Sequence, residues 1–138
     1  MNTYKSKFEK RTAKQLSDAK VKFKYEYKTF KYTSKVRTAA RCSACGSRDI
    51  IINRNYTPDF FLDSGIIIET KGRWTTADRY KMLEVRTQNP TLDLRMLFMS
   101  DNKISKQSKT RYSDWCSTND IPYALGKVPD SWLNRSIK

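Results

Sequence analysis

Tyr56-Thr57-Pro58-Asp59-Phe60-Phe61-Leu62-Asp63-Ser64-Gly65-Ile66-Ile67-Ile68-Glu69-Thr70-Lys71 is the stretch that decides the fold. Phe60–Leu62 and Ile66–Thr70 are two short β-rich runs, and Asp63-Ser64-Gly65 between them has the composition of a turn. Side chains alternate along a strand, so Glu69 and Lys71 leave one face while Ile66, Ile68 and Thr70 leave the other. Folding back at Gly65 lets Asp59 approach Glu69. Two carboxylates and an amine then converge beside an apolar sheet, an arrangement suited to a hard divalent cation held over a phosphate.

An isolated Glu-x-Lys would be the solvated edge of a surface hairpin. Here it follows a triple Ile run, with a Pro-Asp pair upstream across the turn. Together Pro58-Asp59 and Glu69-Thr70-Lys71 form the two halves of the PD-(D/E)xK nuclease pattern.

A chain of 138 residues is expected to form one domain, 1–138, with a core of useful size. Its hydrophobic content of 38% leaves much surface for water or a partner. No stretch approaches a membrane span, and the polar, Lys-rich start is no secretory signal. Three cysteines without such a signal give no disulfide framework, so a cytoplasmic location is expected. The net charge is +14. Residues 1–58 carry 15 Lys/Arg against 4 Asp/Glu, and residues 59–138 carry 13 against 10. That asymmetry is the footprint of a nucleic-acid binder, although an RNA-binding or ribosomal protein would share it. There is no histidine. Nucleases with a histidine base, Ser-His-Asp hydrolysis and Cys-His catalysis are thereby excluded, and phosphodiester chemistry must run on carboxylates, lysine and metal.

Residues 4–20 predict a helix with Phe8, Ala13, Leu16 and Ala19 as a loose apolar stripe. Glu9 lies along that stripe; from residue chemistry alone it is an ordinary acid near a helix start. Val21–Tyr32 alternates apolar and polar, then flips phase so that Phe30 and Tyr32 become the apolar positions, which predicts a bulge or bend. Thr33–Arg41 looks exposed and basic. Cys42-Ser43-Ala44-Cys45-Gly46 is half of a four-ligand zinc site. It is a Zn2+ site shared between two subunits, a redox-labile pair, or a turn without metal. Asp49–Asn53 supplies a strand into the central hairpin. Thr75–Asp78 resembles a capping box opening a helix, with Ala77, Tyr80, Leu83 and Thr87 marking one face. Leu92–Met99 predicts a buried strand, Asp101–Thr110 a polar loop, Tyr112–Asn119 a helix, Ile121–Leu125 a strand and Pro129–Arg135 a final turn or helix. The aromatic residues are assigned to the core. The fold class is α/β, a mixed central sheet flanked by helices.

From Phe8-Glu9 to Trp132 the chain resembles the bacteriophage endonuclease I family of Holliday-junction resolvases, a branch of the PD-(D/E)xK nucleases. The motifs are Lys14-Gln15-Leu16, Val21–Glu26, Tyr56–Phe60, Glu69-Thr70-Lys71-Gly72-x-Trp74, Asn89-Pro90-x-Leu92-Asp93-Leu94-Arg95, Tyr112-x-x-x-Cys116 and Pro129-x-x-Trp132. The resemblance implies a restriction-endonuclease-like core with Glu9, Asp59, Glu69 and Lys71 as catalytic residues, so it overrides the plain reading of Glu9. It also implies two Mg2+ ions per site, with Mn2+ able to substitute, held by Asp59, Glu69, Glu9 and the Thr70 carbonyl. An intertwined homodimer on branched or duplex DNA in the host cytoplasm follows, making paired nicks. The stretch between Tyr32 and Tyr56, the bridge segment at about 33–55, is longer than the family pattern, and the implied swapping and bridge geometry do not carry over to it directly. Three functions compete. They are a junction-resolving endonuclease, a homing or other site-specific endonuclease on the same core, and a DNA- or RNA-binding module that the complete metal-site constellation disfavours.

Overall fold

The structure, a computed structural model, describes residues 4–37 and 49–133. The elements in order are α1 (Lys7–Asp18), β1 (Phe23–Tyr25), β2 (Phe30–Arg37), β3 (Asp49–Tyr56), β4 (Phe60–Leu62) and β5 (Ile66–Lys71). They continue with α2 (Thr76–Gln88), β6 (Asp93–Phe98), α3 (Tyr112–Thr118), β7 (Tyr123–Leu125) and α4 (Asp130–Leu133). Five strands form one sheet in the order β1-β4-β5-β6-β7. The β1, β4 and β5 pairings are antiparallel, whereas β5, β6 and β7 run parallel. The sheet is mixed and helix-flanked, as the alternation of strand-like and helix-like runs requires. β2 and β3 form a separate two-stranded antiparallel ribbon.

The triple Ile run shows why β5 is the centre. Its residues Ile66–Thr70 are all buried, and a strand covered on both faces reads as continuous rather than alternating. Ile66 and Ile68 face a cluster with Phe8, Ala13 and Leu16 of α1 and with Phe60 and Trp132. Ile67 faces a second cluster with Met82 and Val85 of α2, Trp74, Phe98 and Tyr112. Ile68 is fully buried, so Ile68→Ala costs about 2–5 kcal/mol. Gly65, at φ +101, makes the turn that returns β5 against β4.

Two sequence expectations change form. The phase flip in Val21–Tyr32 corresponds to a break between β1 and β2, where Glu26 adopts φ +50. Its backbone N–H donates to the Asp59 carbonyl at 2.8 Å, which fixes the bend to the start of β4. The buried face of α2 is Arg79, Met82 and Val85; of the expected Ala77, Tyr80, Leu83 and Thr87, only Leu83 packs against the core, half-buried. Tyr80 is 61% exposed, and Ala77 and Thr87 are exposed as well. A buried arginine defeats an apolar-stripe reading: the Arg79 guanidinium donates to the Trp74 carbonyl and the Thr76 hydroxyl, so its hydrogen bonds make up for the lost water. The expected capping box does form, with Asp78 N–H donating to Thr75 Oγ1 and Thr75 N–H to Asp78 Oδ2. Cys42 and Cys45, with most of the bridge tip, lie outside the described residues.

Candidate active site

The antiparallel register pairs Phe60 with Ile68, so Asp59 stands opposite Glu69 one step further along. Both carboxylates are buried, at 7% exposure each. Asp59 Oδ2 accepts two hydrogen bonds from one residue, Thr70 N–H at 2.9 Å and Thr70 Oγ1 at 2.7 Å. Glu69 Oε1 accepts from the Tyr56 hydroxyl at 2.8 Å. The Lys71 Nζ lies 3.9 Å from Glu69 Oε2 and 3.8 Å from Asp78 Oδ1, half-exposed at the mouth. Asp59, Glu69, Thr70 and Lys71 are thus gathered at the C-terminal end of the central strand.

Glu9 comes from the first turn of α1, whose N-cap is Ser6; Glu9 N–H donates to Ser6 Oγ at 3.1 Å. Its carboxylate is buried and accepts from Lys5 N–H and from the Tyr25 hydroxyl. Glu9 reaches the site through its field, which raises the Asp59 carboxyl. Among the described residues no three acid, Cys or His side chains converge closely enough to cage a metal by themselves.

Electrostatics distinguish the two central carboxylates. Burial, then the charge of Glu9, push Asp59 up to about 6, against the pull of the Thr70 donors and Lys71. Burial and then the neighbouring Asp59 charge push Glu69 higher, to about 8, with Lys71, Tyr56 and Lys81 opposing. Tyr56 is itself held neutral, its hydroxyl raised well above the usual tyrosine value by burial and by Glu69. Tyr25 is raised by burial and by its bond to Glu9. Both tyrosines therefore stay donors to their carboxylates. Residue patterns had placed them only in the core. Their hydroxyl contacts join positions 13 and 16 residues apart, which periodicity does not register.

The donor set fits Mg2+. All the available ligands are oxygens, and Mg2+ binds through one or two carboxylates while keeping waters and substrate phosphate. Asp59 uses one oxygen for Thr70 and Glu69 one for Tyr56, which leaves a second oxygen on each. A cluster of perturbed carboxylates with a lysine in reach is a functional-site signature.

The phage endonuclease I family profile matches residues 1–138. Endonuclease I of Escherichia phage T7 is 34% identical over 100% of this chain and 83% of its own length. Endodeoxyribonuclease 1 of Enterobacteria phage T3 is 36% identical over 91% of this chain and 74% of its own. The chain belongs to the phage endonuclease I family.

Proposed function

We propose that this chain is a Mg2+-dependent endodeoxyribonuclease with a PD-(D/E)xK core, acting as a homodimer that resolves four-way and branched DNA junctions by paired nicks in the host cytoplasm. The observation that carries it is the convergence of Asp59, Glu69 and Lys71 at the end of β5 in a chain of this family. Asp59, Glu69 and the Thr70 carbonyl would offer oxygen donors for one ion, and Glu9 would help with a second. Bound Mg2+ supplies activation of the attacking water and neutralisation of charge on the leaving oxygen. Thr70 and Tyr56 orient the two carboxylates by one oxygen each, which would leave the other oxygen to the metal. The Lys71 ammonium faces outward beside Glu69, in position to donate to the phosphoryl oxygen as charge builds there. Paired nicks need two sites related by a two-fold axis, and the exposed Ile50 and Ile51 at the start of β3, at 47% and 71% exposure, would offer an apolar contact to a second subunit.

The test compares four-way junction, linear duplex and single strand, each with Mg2+ and with chelator. Opposed nicks in the junction, dependent on metal, are expected. Cleavage of linear duplex at defined sequences with no preference for junctions would replace this reading with a site-specific endonuclease.

A further inference from the structure

Beside the carboxylates lies a basic cleft that the chemistry above does not use. One wall is the turn from β5 into α2, Arg73–Thr76, and the other is the loop after β6, Lys103–Lys106, with Tyr112 behind. Its volume is about 700 Å³, and Arg73, Lys103 and Lys106 line it with no acid among the lining residues. All three are exposed, and among the described residues none makes an ion pair. Like charges converge here with nothing of opposite sign between them.

Behind the first wall the imbalance deepens. Arg79 is buried at 6% exposure and has no carboxylate partner among the described residues. Its guanidinium donates to the Trp74 carbonyl at 2.9 Å and to Thr76 Oγ1 at 3.0 Å, and lies 5.9 Å from the Trp115 ring. The nearby acid Asp78 is committed to the Thr75 N–H and to Lys71. Its hydrogen bonds offset its burial, and its positive charge, unmatched by an ion pair among the described residues, adds to the field of the first wall.

Position narrows the anion. Arg73 follows Lys71 by two residues, at most about 7 Å of chain. The Met99 N–H, just past β6, donates to the Lys71 carbonyl at 3.0 Å, so the loop that carries the second wall leaves β6 beside the catalytic strand. Successive phosphates of one DNA strand advance about 3.4 Å along the helix axis. The cleft therefore begins within about two nucleotides of the phosphate that Lys71 would meet.

We propose that this cleft seats the phosphodiester backbone of the cut strand next to the scissile phosphate, with Arg73, Lys103 and Lys106 as its phosphate contacts. This rests on the nuclease reading above. The contacts are to charge and not to bases, so they position the strand without reading sequence.

The experiment uses the R73Q/K103Q/K106Q variant of the full chain, binding a four-way junction and a linear duplex without metal over a salt series. The slope of log affinity against log salt is expected to fall by about 2 to 3 on both DNAs. Single methylphosphonate substitutions along the cut strand give the local readout. One or two neutral positions beside the cut should weaken wild-type binding by about twofold to fivefold and leave the variant unaffected. An unchanged slope, or a variant that responds to every neutral phosphate as the wild type does, overturns the proposal. Should the triple variant be misfolded by circular dichroism, Lys106→Gln alone carries the same phosphate test at an exposed loop position. Phosphate coupling on duplex in a protein without junction preference would sink the junction reading while upholding the cleft.

Discussion

The central sheet and the β2–β3 ribbon are both well-paired β structure, yet they differ in what covers them. In the sheet, β5 is buried along Ile66–Thr70 and clamped between apolar clusters on both faces. The ribbon has eight registered pairs, from Phe30–Tyr56 to Arg37–Asp49, but β3 is buried only at Tyr56. A lone two-stranded ribbon is marginal in water. This one is held at its root: Gln88 brackets Thr33 through three hydrogen bonds and Glu84 accepts from Ser34. Backbone pairing sets geometry in both regions, and burial decides which of them is stiff. The carboxylates stand on the stiff one, and the exposed isoleucines on the other.

The largest expected effect belongs to the sheet. Asp59→Ala, Glu69→Ala or Lys71→Ala should each lower junction cleavage by at least about 10²–10³-fold while metal-free binding stays nearly unchanged, because the basic surface supplies affinity. An Asp59→Ala enzyme cutting at the wild-type rate would move the chemistry elsewhere. Next comes the seam between the regions. Tyr56→Phe removes only the hydroxyl that orients Glu69, and it should raise the Mg2+ requirement by about 10- to 100-fold with the fold intact. If the Mg2+ titration of the Phe variant overlays that of the wild type, Tyr56 is core packing alone.

The ribbon tip follows. Ile50→Ser with Ile51→Ser should weaken dimerisation by about tenfold or more, read by sedimentation or light scattering across concentration, with little change in the thermal midpoint. An unaltered dimer would place the interface on another surface.

The smallest effect is a pH dependence confined to the sheet. Glu69 titrates at about 8 in the fold against 4.5 for an ordinary glutamate, and Asp59 at about 6 against 3.8 for an ordinary aspartate. Both folded values are raised, so the fold prefers the neutral acids. Their contribution to metal-free stability is complete below the ordinary carboxyl range and is lost as pH climbs through about 6 and then about 8. Mg2+ needs the ionised forms and should recover that loss, so the gap between thermal midpoints with and without Mg2+ widens by a few degrees from mildly acidic to mildly alkaline pH. Glu69→Gln should flatten most of it. An equal gap at both ends of that range would show that these carboxyls do not couple to the metal.

What was legible in the sequence was local. Asp59, Glu69 and Lys71 sit on one short hairpin, where alternation and a turn at Gly65 suffice to bring them together. The bend at Glu26 also left a trace, because a phase flip exchanges which side chains face the core. Two features left none. The α2 face was read correctly only at Leu83, because Arg79 enters the pattern as a polar residue although its hydrogen bonds allow it to be buried. The hydroxyls of Tyr25 and Tyr56 act across tertiary contacts, and an aromatic ring that packs looks the same in a sequence whether or not its oxygen has a partner.

The two roots of the ribbon end on those same oxygens. Tyr25 stands just before the Glu26 bend that leads into β2, and it holds Glu9; Tyr56 is the last residue of β3, and it holds Glu69. The Glu26 N–H is fastened to the Asp59 carbonyl in the same place. The ribbon is thus a fork whose tines are bolted to acids on separate elements of the body. A twist applied at its far end would reach Glu9, Asp59 and Glu69 together through these three hydrogen bonds, one of them made by Tyr56 from inside the core.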